Sequence, residues 1–287
     1  MEILLTGCSG FIGSHICNLP HNITGYDLFP PKKEIDFIEG DINDIPLLSK
    51  ALEGKDAVIH LAALPEVAPS SEDPTLFFDA NTRGTFNLLL ASLEAGVKKF
   101  IFSSSSAVYG RTTAPSKETD PLRPVSIYGA DKMAGEAYCR AFRELGLPTT
   151  ILRLFNVFGE GNEKGVMYDF TQSLLSSPSL SILGDGSQSK DFLHISDAVS
   201  AFELALNLPP STYNVGSGEK TSIKTIAKII ADELGVSPEI SYTGQSWKGD
   251  IFQSQADISK LEAHGFSPKT PLEEGLRRYV RWLKSSM

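Results

Sequence analysis

Tyr128 and Lys132 stand four residues apart in the run Tyr128-Gly129-Ala130-Asp131-Lys132. On a helix, that spacing puts both side chains on one face, a turn apart. A lysine ammonium beside a phenol stabilises the phenolate and draws its pKa down from about 10 toward neutrality. A general base for a hydroxyl needs this. The same spacing also arises as an ordinary surface pair, so the neighbours must decide. Upstream, Ser103 to Ser106 follow the apolar run Phe100-Ile101-Phe102, at the end of a predicted strand. Ligands of open α/β sheets bind at strand carboxyl ends. A serine there could hold a reacting hydroxyl or carbonyl oxygen; the plainer reading is a polar loop.

A second group of residues could hold a phosphorylated ligand. Thr6-Gly7-Cys8-Ser9-Gly10-Phe11-Ile12-Gly13 follows the first apolar run, Ile3-Leu4-Leu5. Glycine at 7 permits a tight turn, and glycines at 10 and 13 let a pyrophosphate and the helix approach closely. The helix that follows would aim its first N–H groups at phosphates. Asp27 closes the second apolar run, where a carboxylate can accept hydrogen bonds from ribose hydroxyls and repel a 2′-phosphate. NAD is therefore favoured over NADP, unless Asp27 merely starts a turn. The helix between Gly13 and Ile23 holds Pro20 and is short, so the crossover is trimmed.

These groups need a scaffold. Ile3–Leu5, Ile23–Tyr26, Ala57–Leu61, Phe100–Phe102 and Thr150–Leu154 read as strands buried on both faces. Phe86, Leu89, Leu90 and Leu93 predict one helical face with Gly96 at its C-terminus, and residues 127–145 a second helix closed by Gly146. Ile223, Ile226, Ile229 and Ile230 predict a third, ending near Gly235. The alternation predicts an α/β fold: a doubly wound parallel sheet of Rossmann type with a smaller C-terminal α/β substrate domain. The expected division is residues 1–160 for the nucleotide domain and 161–287 mainly for the substrate domain, with segments around 191–217 returning to the sheet.

Bulk properties narrow the function classes. The chain has 287 residues, 41% hydrophobic and 21% charged, with a net charge of -9. A surface negative overall repels nucleic acid. Cys8, Cys17 and Cys139 fit neither a disulfide framework nor a zinc site, and each reads as a small buried apolar residue. No apolar stretch is long enough to cross a bilayer, and Met1-Glu2-Ile3-Leu4-Leu5 lacks a basic n-region followed by a long apolar h-region. A soluble cytoplasmic protein without a metal is expected.

The motifs together resemble the extended short-chain dehydrogenase/reductase family, in its NAD-dependent sugar-nucleotide epimerase/dehydratase group (UDP-hexose 4-epimerase-like). The resemblance covers nearly the whole chain. It rests on TGCSGFIGSH from Thr6, GDI from Gly40, HLAA from His60, NTRGT from Asn81, SSSSAVYG from Ser103, YGADK from Tyr128 and LRLFNVFG from Leu152. DGSQSKDFLHISD from Asp185, YNVGSG from Tyr213 and GDIFQSQADISK from Gly249 complete it. The resemblance implies Ser105, Tyr128 and Lys132 as the catalytic set. It implies NAD held by Gly7, Gly10, Phe11, Ile12, Gly13 and Asp27, with Asp41 and Ile42 flanking adenine. Leu61, Ala62, Ala63 and Asn81 would line the path to the nicotinamide, Lys132 would hold the nicotinamide ribose, and Ser103 and Phe155 complete the cofactor set. Asn156 would approach the substrate diphosphate, with Lys190, Asp250 and Ser254 also contacting substrate. His60 is a strand residue in this family and receives no catalytic role.

Two arginines of the family pattern are absent: Lys190 precedes Asp191-Phe192, and Trp247 stands two before Gly249, beside Lys248. Lysine keeps the charge but loses the bidentate fork. Where family members restricted to plain hexoses carry tyrosine, this chain has Ser254, whose smaller side chain would admit an N-acetyl group. The expected activity is 4-epimerisation of a nucleoside-diphosphate hexose through a 4-keto sugar. The alternatives are a keto-sugar reductase, a 4,6-dehydratase and an NAD-sensing protein without activity. Family dehydratases carry Asp-Glu directly after the active-site Ser/Thr, whereas Ser106-Ala107 follows here. A homodimer is expected, through helices over 81–96 and 126–146 with Phe86, Leu90, Tyr138 and Phe142 on their outer faces.

Overall fold

The five apolar runs become neighbouring parallel strands of one sheet. The computed structural model describes residues 1–67, 69–113, 115–245 and 251–286. In chain order its strands are β1 (Glu2–Thr6), β2 (Asn22–Asp27), β3 (Asp36–Glu39), β4 (Ala57–His60), β5 (Lys99–Ser105), β6 (Thr149–Leu154) and β7 (Asn156–Phe158). They continue with β8 (Ser179–Ile182), β9 (Ser189–Lys190), β10 (Phe192–His194), β11 (Thr212–Val215), β12 (Thr221–Ser222) and β13 (Glu239–Tyr242). The helices are α1 (Phe11–Ile16), α2 (Ile45–Ala51), α3 (Pro74–Phe77), α4 (Gly84–Glu94), α5 (Ile127–Glu144), α6 (Val166–Ser176), α7 (Ile195–Ala205), α8 (Ile223–Leu234), α9 (Ser259–Glu262) and α10 (Leu272–Ser285).

The main sheet runs β3-β2-β1-β4-β5-β6-β11, parallel throughout. Strand order reverses between β1 and β4, and such a reversal opens a crevice at the strand carboxyl ends. Apolar side chains of α1 and α7 cover one face of the sheet, and those of α2, α4 and α5 the other. A separate core joins α6, α8 and α10 to β8, β10 and β13. Among the described residues, no helix is long and apolar enough to cross a membrane.

α5 starts where Ser126 caps it, its hydroxyl accepting the Gly129 N–H at 3.1 Å. It ends before Gly146, which adopts φ +102°. Gly129, Lys132, Gly135, Glu136 and Cys139 form its buried stripe. A Cβ at Gly135 would lie 2.5 Å from the Phe102 ring, so the glycine lets helix and strand close up.

The apolar face of α4 is only partly turned inward. Thr85, Leu88, Leu89 and Ser92 are buried, while Phe86 is 38% exposed and Leu90 and Leu93 are intermediate. Thr85 takes a core position because its hydroxyl is satisfied there, donating to the Asn81 carbonyl (2.5 Å) and meeting His60 Nε2 (2.9 Å). Phe142, expected on an outer face, is buried; Phe86 covers it edge-on with ring centroids 5.6 Å apart. All three cysteines are free and buried.

Candidate active site

The loop leaving β1 sits in the crevice. Gly7 adopts φ +76°, and a Cβ on it would lie 2.6 Å from the Ala62 nitrogen, in the loop leaving β4. A Cβ on Gly13 would lie 2.0 Å from the Gly7 carbonyl oxygen. Internal packing thus demands both glycines. Gly10 is different: its added Cβ would meet only the Gly7 oxygen, at 3.3 Å, and otherwise open space. A glycine there keeps the outer face of the loop low, as a pyrophosphate lying on the N-termini of Phe11, Ile12 and Gly13 requires. Asp27 faces the same loop. One carboxylate oxygen accepts the Ser9 N–H at 3.0 Å and the other the Leu28 N–H at 2.7 Å. These bonds hold the Asp27 carboxylate at the end of β2, where it could accept from a ribose diol and would repel a 2′-phosphate. The donors and acceptors therefore suit NAD. Titration calorimetry should find NAD binding about tenfold or more tighter than NADP; equal or tighter NADP binding would remove Asp27 from this role.

Other expected cofactor residues lie around the crevice in different states. Asp41 is exposed, its carbonyl accepting the Tyr26 hydroxyl at 2.7 Å, while Ile42 is buried against Gly84. Leu61 donates its N–H to the Thr6 carbonyl (3.0 Å) and Ala62 to the Thr6 hydroxyl (3.4 Å), with Ala63 next in the loop. Asn81 lies in a π-helical turn, Phe78–Arg83. Its amide accepts the Leu64 N–H (2.8 Å) and donates to the Leu64 carbonyl (3.0 Å). Asn81 thus shapes the loop after β4 with an amide already engaged. Phe155 is buried beside Tyr109.

Tyr128, Ser105 and Lys132 converge where β5 ends and α5 begins. The Tyr128 hydroxyl lies close enough to Ser105 for that side chain to ease its ionisation. Ser105 Oγ also accepts the Ala107 N–H at 3.2 Å, which orients it. Lys132 Nζ donates to the Ser103 carbonyl at 2.9 Å and lies 5.8 Å from the centre of the Tyr128 ring. The phenol is not drawn down toward neutrality as the Tyr128–Lys132 spacing predicts: burial pushes it up to about 12, Ser105 pulls it down and the Glu66 carboxylate pushes it up. Burial draws Lys132 down to about 8, against the pull of Asp131. The ammonium remains mostly protonated at neutral pH, so a positive charge faces the phenol. The arrangement can pass a proton between a bound hydroxyl and Tyr128 while Ser105 holds the oxygen. His60, in contrast, bonds Thr6 and Thr85 and is pushed down to about 3, first by burial and then by Lys132. It is a neutral core residue.

Buried side chains invisible to the motif reading support this cluster. Glu136, one turn beyond Lys132, receives Arg153 Nε at 2.8 Å and Nη2 at 2.7 Å, and the Ser104 hydroxyl at 2.7 Å. Arg153 Nη1 donates to the Tyr109 hydroxyl (2.8 Å), which donates to Asn214 (2.6 Å). The signal was present: an arginine inside an apolar strand must find a carboxylate.

The substrate side is assembled from distant segments. Asn156 Nδ2 donates to the Asp191 carbonyl (2.9 Å) and meets Ser254 Oγ at 3.4 Å. The Ser254 N–H donates to the Ser189 carbonyl (3.1 Å), which brings it beside β9 and Lys190. Asp191 locks the cluster: its buried carboxylate accepts N–H groups of Ser217 (2.7 Å), Gly218 (3.0 Å) and Ala256 (3.0 Å). Asp250, with Trp247 and Lys248, lies outside the described residues.

Known proteins are similar to this chain along its length. A family model described as the NAD dependent epimerase/dehydratase family matches residues 3–216. The UDP-glucose 4-epimerase of Mycolicibacterium smegmatis is 32% identical, over 99% of both chains. Among solved structures, the UDP-N-acetylglucosamine 4-epimerase from Methanobrevibacter ruminantium, in complex with UDP-N-acetylmuramic acid, superposes with a TM-score of 0.94 at 35% identity, covering 100% of this chain and 99% of that one. The UDP-glucuronic acid 4-epimerase from Bacillus cereus, in complex with UDP-glucuronic acid and NAD, has a TM-score of 0.94 at 31% identity, covering 100% of both.

Proposed function

The chain belongs to the NAD-dependent epimerase/dehydratase family, within the extended short-chain dehydrogenases, and we propose that it interconverts the C4 epimers of a UDP-hexose, N-acetylhexosamines included. NAD dependence and sugar-nucleotide epimerase chemistry come with the family; the sugar is our reading. The observation that carries it is the Ser105–Tyr128–Lys132 cluster beside the glycine loop.

In this reading Gly7, Gly10, Phe11, Ile12 and Gly13 present backbone to the NAD pyrophosphate, Asp27 takes the adenosine ribose, and Lys132 the nicotinamide ribose. Bound NAD supplies the acceptor and donor of one hydride at C4. Tyr128 accepts the proton of the 4-hydroxyl, with Ser105 holding that oxygen. The resulting 4-keto sugar is planar at C4. After it rotates, Tyr128 returns the proton with the other face turned to the hydride. Asn156 and Lys190 anchor the diphosphate through both half-reactions, and the anchoring supplies much of the rate by orientation. A dehydratase needs a further acid and base; the turn after Ser105 carries Ser106 and Ala107 and no carboxylate.

The test is incubation with UDP-glucose, UDP-galactose and both UDP-N-acetylhexosamines, without added cofactor, read by NMR. Approach to a C4-epimer equilibrium from either side is expected. Net loss of water, or no conversion, would refute the reading. Ser254 bears on the sugar because it stands beside Asn156. Ser254→Tyr should lower kcat/KM for the N-acetylated substrate roughly tenfold more than for UDP-glucose, by filling the space of the acetamido group. Equal losses would show that position 254 does not gate it.

A further inference from the structure

Glu66 and Lys164 form an ion pair that joins the loop after β4 to the loop after β7. The Glu66 side is fixed. Its carbonyl accepts the Ser70 N–H at 3.3 Å, and the Ser70 hydroxyl donates to the Val67 carbonyl at 2.6 Å and accepts the Tyr128 N–H at 3.3 Å. Ser70 is fully buried. The turn that carries Glu66 is therefore seated on the first residues of α5, against Tyr128.

The two charges sit in different surroundings. The Lys164 side chain is 71% exposed and that of Glu66 31%. Water solvates the ammonium, while the carboxylate stays on the protein side. Its field reaches the Tyr128 phenol, where it works against ionisation. The Tyr128 hydroxyl marks where the reacting sugar oxygen must lie, so a sugar in the cleft feels the same negative potential. A second carboxylate on that sugar would be a like charge facing Glu66, and like charges brought together on binding repel.

We propose that Glu66 is a charge filter for the sugar, disfavouring uronic acids and leaving neutral hexoses and N-acetylhexosamines as the substrate class. This deepens the 4-epimerase reading and rests on it. The fold alone imposes no such choice, since the Bacillus cereus relative is a UDP-glucuronic acid 4-epimerase. Lys164 is the counterweight: it partly screens Glu66, and its loss should sharpen the filter.

The experiment compares UDP-glucose with UDP-glucuronic acid in two ways, by kcat/KM from NMR time courses and by calorimetric Kd on the NAD-loaded protein. The native protein should favour UDP-glucose about tenfold or more in both. Glu66→Gln should shrink that ratio by about tenfold, and Lys164→Gln should enlarge it a few-fold. Equal or better use of the uronate by the native protein would overturn the filter. So would a Glu66→Gln variant that shifts both substrates alike. If neither sugar is epimerised, the 4-epimerase reading falls, and the Kd ratio still reports whether Glu66 discriminates charge. Lys164→Gln gives an independent reading should Glu66→Gln misfold.

Discussion

Replacing Tyr128 with phenylalanine should lower kcat by roughly 100-fold or more while the protein keeps its fold and its affinity for NAD. Only a hydroxyl is removed. The backbone N–H that donates to Ser70 stays, and so does the ring beside Lys132. What is lost is the hydroxyl that, in the proposed reading, carries a proton to and from a bound sugar hydroxyl. The direction of the pH dependence follows from the same atoms. Burial holds the phenol at about 12, so at neutral pH the base form is scarce, and activity should rise with pH as the phenol becomes easier to ionise. Lys132→Met removes the facing positive charge and should shift that limb to higher pH. In Tyr128→Phe the limb should vanish with the activity. A variant retaining turnover within a few-fold, or keeping the same limb, would show that another group moves the proton. Ser105→Ala should cost less, since Tyr128 still reaches the substrate.

Much of this site was legible in residue types and spacing. The glycine loop, Asp27 at the end of β2, and the Tyr128–Lys132 pair all follow from local pattern, and the structure places each at the carboxyl edge of the sheet. Each is a short-range feature that one turn or one strand end defines. The illegible parts are long-range. Asn156 and Ser254 are 98 residues apart and meet through β9 and Asp191. Strands of two or three residues, such as β9, β10 and β12, have no periodicity to read. The buried face of α4 includes Thr85 and Ser92, polar positions that apolar periodicity does not mark, Thr85 with hydrogen-bond partners that hydropathy cannot foresee. The Asn81 amide bonds Leu64 in both directions, a contact set by how the loop after β4 folds back.

The largest effect on stability is expected at Glu136. Tyr128, Lys132 and Glu136 recur every fourth residue along α5, so one helical stripe carries the proton carrier, its facing cation and an anchor. Lys132 ties the stripe to β5 through the Ser103 carbonyl, and Glu136 ties it to β5 through Ser104 and to β6 through Arg153. Both partners of the Glu136–Arg153 pair are buried, with side chains 0% and 3% exposed. Glu136→Ala would leave the Arg153 guanidinium in that interior with only the Tyr109 hydroxyl and the Glu118 carbonyl as acceptors. Removing one partner of a buried pair costs about 3–5 kcal/mol, because the remaining charge is desolvated without compensation. In a chain of this size that is a fall in Tm of roughly 10 °C. Activity well below the new Tm should drop only several-fold, since the reacting groups remain and only their anchor loosens. The double replacement Glu136→Leu with Arg153→Met removes both charges and should recover at least about 2 kcal/mol of the sum of the single losses. Calorimetric unfolding of the three variants decides it. If the single losses simply add, the pair is not coupled, and α5 is held in place by apolar packing of Gly135 and Cys139 instead.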